Sequence, residues 1–291
     1  MAREIPVVDG VEHRYVEANG IRIHVAEAGS AAAPAIVCLH GWPQHWSLWR
    51  EVIGPLAETH RVICPDLRGL GWTDAPPGGY DKESLATDLL ALLDTLELDR
   101  VSLIGHDWGG YACFLACLRQ PERFERYLGL NIAPPFARRS PETFAATWRF
   151  GYQVLLASPL GAGAAARLGS PQGKERFRRR GSSPFGDAEL ETFFGQFREP
   201  ERARATVQYY RSFLLRDLPA VAAGRYARAR LEVPTRILFG TDDPVVTPSM
   251  LTVDGRQVAD YAVELVPGVG HFIADERPDL VVARAQAWLG K

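Results

Sequence analysis

An aspartate lies at the centre of a short stretch whose residue types and spacing suit covalent chemistry. Asp107 follows the apolar run 101–104, which predicts a buried parallel strand, and precedes an apolar helical stretch that starts at Tyr111. Glycines stand two positions before it and two positions after it, at Gly105 and Gly109. This spacing is typical of a nucleophile elbow, a turn so sharp that only glycine-sized residues fit beside it. The sequence therefore predicts that Asp107 projects above the carboxyl end of a sheet strand.

The choice of a carboxylate at this position determines the chemistry. An ionised carboxylate is a weak nucleophile suited to displacement at a saturated carbon and to ester intermediates, whereas a serine would attack acyl carbon. The N-terminus of the following helix is expected to favour the anionic form of Asp107, because it carries partial positive charge. The alternative interpretation is that Asp107 only caps that helix, since Asp is a preferred N-cap residue.

Two further polar residues follow predicted strands and weigh against a mere cap. Asp243 comes shortly after the apolar run 235–239, and His271 comes shortly after the run 262–266. Taken alone, an aspartate in a turn or a histidine after a strand is usually structural. However, an open α/β sheet places its active site at the carboxyl ends of its strands, so the three side chains are expected to meet. Their order along the chain is nucleophile, acid, histidine, which is that of a catalytic triad on such a sheet.

The elements that must position these residues alternate between strands and helices, which predicts a mainly parallel sheet flanked by helices. An antiparallel hairpin is predicted over 13–28, and helices are predicted over 49–59, 84–96 and 279–289. Strand patterns disappear between 133 and 230, where segments such as 141–157 look helical. We therefore expect a core formed by residues 1–132 and 231–291, with a helical domain of residues 133–230 inserted into it.

Composition and charge exclude several classes of protein. The chain has 291 residues, of which 46% are hydrophobic and 23% are charged, as in an ordinary globular protein. The formal net charge of −2 argues against a nucleic-acid partner. No apolar run approaches the ~20 residues needed to span a bilayer, and the first residues lack the apolar segment of a secretory signal. A cytoplasmic protein without a membrane partner is expected.

The four cysteines are expected to be buried free thiols, because none of them forms a CxxC pair. No cluster of His, Cys and Asp has the spacing of metal ligands, so neither a metal nor a cofactor is predicted.

Three motifs resemble the α/β-hydrolase superfamily, and within it the branch with an aspartate nucleophile, which contains soluble epoxide hydrolases and haloalkane dehalogenases. His40-Gly-Trp-Pro43 matches the HGxP motif of that branch, Gly105-His-Asp-Trp-Gly-Gly110 matches its elbow, and Gly240-Thr-Asp-Asp243 matches its acid loop. The resemblance implies an α/β-hydrolase fold whose helical insertion forms a cap over the site. It also implies that Asp243, rather than Asp242, orients His271, and that the backbone N–H groups of Trp42 and Trp108 form an oxyanion hole.

Two tyrosines in the insertion bear on the leaving group. Phe150-Gly-Tyr152-Gln153 resembles the motif of the first cap tyrosine of epoxide hydrolases. Gln208-Tyr209-Tyr210-Arg211 resembles the second motif, with Tyr210 in the functional place and Tyr209 at a packing position. A departing epoxide oxygen is strongly basic, and a phenol is neutral at pH 7 and can donate a hydrogen bond to it. The alternative for each tyrosine is that it packs in the cap core.

The resemblance implies an epoxide hydrolase, that is, a hydrolase acting on ether bonds that converts a small hydrophobic epoxide and water to a vicinal diol. Asp107 would form a covalent alkyl ester, and water activated by His271 would hydrolyse it. The alternative is a haloalkane dehalogenase with the same nucleophile, in which the indoles of Trp108 and Trp148 would bind halide. A non-catalytic ligand-binding protein on the same scaffold is the third hypothesis. The chain is expected to be a monomer or a homodimer.

Overall fold

A single mixed sheet forms the centre of the protein, whose computed structural model describes residues 3–137, 151–179 and 184–289. Its eight strands lie in the order β1-β2-β4-β3-β5-β6-β7-β8. They are β1 (Glu12–Ala18), β2 (Ile21–Ala28), β3 (Ala35–Leu39), β4 (Arg61–Pro65), β5 (Val101–His106), β6 (Phe124–Leu130), β7 (Thr235–Gly240) and β8 (Tyr261–Val266). β2 pairs antiparallel with β1 and with β4, and every other pair is parallel. The predicted mainly parallel sheet with an N-terminal hairpin is confirmed.

Helices cover both faces of this sheet. The α-helices of the described residues are α1 (Ile53–Ala57), α2 (Lys82–Thr95), α3 (Asp107–Arg119), α4 (Gly151–Ala157), α5 (Gly161–Leu168), α6 (Pro171–Arg179), α7 (Asp187–Phe194), α8 (Pro200–Ser212), α9 (Leu218–Ala222), α10 (Ile273–Glu276) and α11 (Pro278–Leu289). Successive side chains of a strand point to opposite faces. In β3, Val37 and Leu39 therefore join the core beside α2 and α3, whereas Ile36 and Cys38 join the core beside α1 and α11.

Two local predictions differ from the structure or fall outside it. The helix predicted over 49–59 is wrong in extent: a 3₁₀ turn, Trp46–Trp49, precedes the short helix α1. Pro55 explains the difference, because proline is tolerated only in the first turn of a helix and α1 therefore begins two residues before it. Of the helix predicted over 141–157, only α4 is described, and Phe150 and Trp148 lie outside the described residues.

The four cysteines are buried and free, as predicted. In the described ranges, no helix is both long and apolar enough to cross a bilayer.

The chain between β6 and β7 forms the helical insertion, which we call the cap, and its described residues form helices α4 to α9 and no strand. The cap contacts loops that follow β3 and β4. Gln196 accepts a hydrogen bond from the Gly71 N–H at 2.9 Å and donates one to the Pro43 carbonyl at 2.8 Å. The cap therefore lies over the carboxyl end of the parallel sheet. The limits at 133 and 230 stay a prediction.

Candidate active site

Asp107 lies at the junction of β5 and α3, with a backbone φ of +47°. This left-handed conformation is costly for any residue except glycine, and it is typical of strained functional turns. The glycines around it have little space. A Cβ on Gly105 would lie 2.7 Å from Cα of Gly110, and a Cβ on Gly109 would lie 2.3 Å from the carbonyl oxygen of His40. The elbow therefore depends on glycines that pack against the helix and against the end of β3.

The carboxylate of Asp107 faces two backbone donors. The Trp42 N–H donates to Oδ2 of Asp107 at 2.9 Å, and the Trp108 N–H also hydrogen bonds to this carboxylate. The loop after β3 approaches closely because residue 41 is glycine: a Cβ there would lie 2.5 Å from Oδ2. The two predicted oxyanion donors thus converge on the carboxylate of the candidate nucleophile itself. Such preorganised donors stabilise negative charge that develops at that position.

The acid loop after β7 and the loop after β8 bring the other two predicted residues to the same place. Nδ1 of His271 donates to Oδ2 of Asp243 at 2.8 Å, and Nε2 of His271 lies 3.9 Å from Oδ1 of Asp107. The second oxygen of Asp243 accepts from the N–H groups of Val245 and Val246 at 2.7 and 3.0 Å. Asp243 and not Asp242 therefore contacts the imidazole. The structure brings these three side chains together, while their catalytic roles stay predictions.

Asn131 is a functional candidate that the sequence analysis missed. It follows β6 with a φ of +45°, and its amide donates to Oδ2 of Asp243 at 2.8 Å and to the Gly270 carbonyl at 3.0 Å. Its own oxygen accepts from the Gly240 N–H at 3.2 Å. Asn131 thus connects the loops that carry Asp243 and His271. A polar residue directly after a core strand, of a type that tolerates positive φ, was the available signal.

The charges of the three residues depend on one another. Burial lowers the pKa of His271, but the charge and hydrogen bond of Asp243, together with the charge of Asp107, raise that pKa to about 9. Burial raises the pKa of Asp243, and the His271 contact together with the Asn131 amide reverses this and leaves the pKa below its usual value. The imidazole of His271 is therefore protonated at neutral pH as long as Asp107 carries its negative charge.

Burial also raises the pKa of Asp107, against the opposing effects of His271 and of the N–H groups of Trp108 and Trp42. The Trp108 N–H, at the N-terminus of α3, does favour the anionic form of Asp107 as expected. The net direction for this carboxyl group is set by burial, because removing water from a charged group costs more free energy than these contacts return.

The two predicted cap tyrosines lie beside each other. The rings of Tyr152 in α4 and Tyr210 in α8 are 5.8 Å apart, and the Tyr210 ring lies 5.3 Å from that of Trp42 and 6.1 Å from that of Trp108. Burial raises the pKa of Tyr152 to about 12 and raises the pKa of Tyr210 well above its usual value, and the charge of Asp107 adds to both shifts. Both phenols therefore stay protonated and lie within the field of the candidate nucleophile.

Tyr209 points away from this group. Its hydroxyl donates to the Arg68 carbonyl at 2.8 Å, and its ring packs 5.2 Å from that of Tyr80. The adjacent tyrosines of α8 therefore have different surroundings, with Tyr209 in the packing position that the motif implies.

The two indoles at the site also differ. The Trp42 indole N–H donates to the Thr206 hydroxyl at 3.1 Å. The Trp108 indole N–H is buried and faces the hydroxyl of Tyr210, without a well-formed hydrogen bond among the described residues. Within residues 3–137, 151–179 and 184–289, no group of three or more His, Cys, Asp and Glu side chains is arranged to hold a metal ion.

Comparison with known proteins supports the fold seen here. Over 124 residues the chain is 44% identical to a soluble epoxide hydrolase of Corynebacterium sp., and the match spans 43% of this chain and 43% of that relative, less than half its length. It is 28% identical to epoxide hydrolase A of Mycobacterium tuberculosis over 93% of this chain and 94% of the relative. The solved structure of the epoxide hydrolase CorEH superposes with a TM-score of 0.81 at 27% identity, over 96% of this chain and 99% of that one.

A sequence model of the α/β hydrolase fold matches residues 34–278, which include the elbow, the acid loop and the histidine loop. The sheet order and the elbow geometry agree with that match along its whole length. The chain belongs to the α/β hydrolase fold family.

Proposed function

We propose that this protein is an epoxide hydrolase that works through a covalent ester on Asp107. The observation that carries the proposal is the arrangement around that carboxylate. Two backbone N–H groups donate to the carboxylate, and two neutral phenols from the cap lie within range of its charge. A hydrolase that opens an epoxide needs both, because the first step creates an alkoxide and the second creates an oxyanion. The relatives named as epoxide hydrolases support the same activity.

In the first step, Oδ1 of Asp107 attacks a ring carbon of the epoxide, and the bond from that carbon to the ring oxygen breaks. The released oxygen takes its proton from Tyr152 or Tyr210. Phenols suit this task, since they are neutral at pH 7 and form strong hydrogen bonds to an alkoxide. The product of the step is a hydroxyalkyl ester of Asp107, and the carboxylate has lost its negative charge.

Loss of that charge prepares the second step. The charge of Asp107 is one of the causes that hold the pKa of His271 at about 9. Once Asp107 is an ester, that pKa falls and the imidazole releases a proton, which replaces the one that the tyrosines gave to the alkoxide. Neutral His271 then accepts a proton from water through Nε2 while the water oxygen attacks Cγ of the ester. The N–H groups of Trp42 and Trp108 stabilise the resulting oxyanion. Its collapse breaks the bond between Cγ and the alkyl oxygen, which takes the proton of the new carboxyl hydroxyl. The diol leaves, and Asp107 is again a carboxylate beside a protonated His271.

A mass measurement on the H271Q variant tests this route. Without the base, the ester should persist, so intact H271Q incubated with styrene oxide should gain the mass of one epoxide molecule. The double variant D107N/H271Q is the matched control and should gain nothing. A mass spectrum of H271Q that stays unchanged, with the protein folded, would overturn the covalent mechanism.

Haloalkane dehalogenase activity is the second candidate, because the buried indole N–H of Trp108 forms no well-aligned hydrogen bond among the described residues and suits a halide. The Trp42 indole is already bound to Thr206, which weakens this candidate. Parallel assays with styrene oxide and 1-bromobutane decide: diol release supports the proposal, bromide release supports the second candidate, and neither product supports a non-catalytic ligand-binding protein.

A further inference from the structure

A buried lysine lies beside the nucleophile and takes no part in the steps above. Lys82 is the first residue of α2, and its side chain is 0% exposed. Its Nζ atom is buried and has no hydrogen-bond partner among the described residues. Lysine is almost never fully buried without a paired charge, because removing an ammonium group from water is costly. The position of this cation therefore calls for a physical cause.

Aromatic rings surround the ammonium group. Nζ lies 4.0 Å from the ring centre of Trp108, 5.1 Å from that of Tyr209 and 5.8 Å from that of Phe213. The face of an aromatic ring is negative and attracts a cation at these distances. Trp108 is the residue after Asp107, and its backbone N–H hydrogen bonds to the Asp107 carboxylate. The lysine is thus linked to the nucleophile through a single residue.

Three carboxylates face Lys82. Asp217 has the largest electrostatic effect on the pKa of Lys82, and Asp107 and Asp81 have smaller effects. Both carboxylate oxygens of Asp217 accept from the Lys82 backbone N–H at 3.3 Å. Burial lowers the pKa of Lys82 to about 8, and the three carboxylates oppose that fall. Burial raises the pKa of Asp217 to about 6. The lysine therefore carries its positive charge through the neutral and acidic range.

Asp107 responds to the charges around it. The titratable groups whose charge interacts with this carboxylate belong to the core and to the cap: His271, Lys82, Tyr152, Tyr209 and Tyr210. Of these, only His271 and Lys82 are cationic, and both favour the ionised form of Asp107. His271 must lose its proton during turnover, whereas Lys82 has no such duty.

We propose that Lys82 is a positioning residue for the nucleophile, whose ammonium group holds the Trp108 indole and stabilises the negative charge of the Asp107 carboxylate. Because Asp107 is the nucleophile only in the function proposed above, this role rests on that function. Lys82 compensates, through its charge, for the burial that would otherwise favour a protonated and unreactive Asp107.

The test compares the ionisation of Asp107 in wild-type protein and in the K82M variant, which keeps an unbranched side chain one atom shorter and removes its charge. Aspartate labelled with carbon-13 at the carboxyl group is followed by NMR across pH 4–9, and the Asp107 signal is assigned by its loss in D107N. We expect the Asp107 midpoint in K82M to rise by about half a pH unit or more. K82R, which keeps the charge, should return the midpoint toward the wild-type value.

An unchanged Asp107 midpoint in folded K82M would overturn the proposal. The melting temperature identifies a merely structural lysine, because removal of a buried cation that only compensates Asp217 should lower the melting temperature and leave the Asp107 midpoint unchanged. A fall in melting temperature without a midpoint shift therefore counts against the proposal. If K82M does not fold, K82Q replaces it in the same comparison. The titration needs no substrate, so it tests the effect of Lys82 on Asp107 independently of the proposed function. If no ester forms on Asp107, the proposed function is overturned, but a shift of the Asp107 midpoint in K82M remains valid.

Discussion

Nε2 of His271 lies 3.9 Å from Oδ1 of Asp107, too far for a hydrogen bond and close enough for the two charges to interact. The other ring nitrogen donates to Asp243 at 2.8 Å. One imidazole therefore faces two carboxylates, of which only Asp107 changes its charge during the proposed reaction. This relationship makes the protonation of His271 depend on whether the nucleophile is free or esterified.

The pH dependence of ester hydrolysis follows from this relationship. A pKa of about 9 for His271 in the free protein means that the group is neutral only in alkaline solution. In the ester the charge of Asp107 is absent, so hydrolysis should reach half its maximal rate at a pH clearly below 9. The measurement is the decay of the ester after rapid mixing, at a series of pH values, beside an NMR titration of His271 in free protein. Equal midpoints in the two titrations would contradict the expected coupling.

Replacement of both cap phenols should abolish epoxide opening. The double variant Y152F/Y210F keeps both rings and removes both proton donors, so ester formation from styrene oxide should slow by on the order of 10²–10⁴-fold, the usual effect of a general acid. The matched control is Y209F, which removes a hydroxyl that bonds to Arg68 instead. It should keep the rate and lose about 1 kcal/mol of unfolding free energy. A double variant as fast as Y209F would make all three tyrosines packing residues.

The close approach of the β3 loop to the nucleophile predicts the effect of a single methyl group. A Cβ on Gly41 would lie 2.4 Å from Cβ of Asp107, so G41A should displace the carboxylate from its donors and slow ester formation by roughly 100-fold or more. The control is G54A in α1, where an added Cβ meets nothing within 4 Å. There we expect an unchanged rate and slightly higher stability, because alanine favours a helix over glycine. Rapid-quench kinetics and thermal melts measure both quantities, and equal rates would reject the contact.

Asn131 allows its two roles to be separated. N131G keeps the freedom to adopt a φ of +45° and loses the amide that donates to Asp243. Since a hydrogen bond to a charged group contributes about 1.5–3 kcal/mol, ester hydrolysis should slow by roughly tenfold or more. N131A loses the same amide and adds backbone strain, so it should be less stable than N131G by about 1 kcal/mol. Hydrolysis in N131G at the wild-type rate would show that Asp243 needs no second donor.

The strands and the triad candidates could be predicted because both depend on local sequence patterns. The continuous apolar runs 101–104, 235–239 and 262–266 located the strands β5, β7 and β8 to within two residues at each end. The triad candidates were found because each stands next to such a run. Position after a strand is a local property, and the fold converts it into proximity, as the 2.8 Å contact of His271 with Asp243 demonstrates.

Residues whose role depends on distant partners were not found. Lys82 starts a helix, where a lysine normally lies in solvent, and the packing of Trp108, Tyr209 and Phe213 encloses it. Asn131 has the composition of an ordinary turn residue, and its contact with Asp243 spans 112 positions of the chain. Hydrophobic periodicity is a local signal, so it shows neither the burial of a residue by distant elements nor a contact between residues far apart in the chain.

The left-handed backbone at residue 107 packs closely against the surrounding glycines and the end of β3. A serine at this position would inherit the same exposed site on the turn. Without the carboxylate, the N–H groups of Trp42 and Trp108 would be free to donate to the carbonyl oxygen of a bound substrate. Exchange at one position can thus carry this scaffold from alkyl to acyl transfer, which is how one architecture comes to serve unrelated reactions.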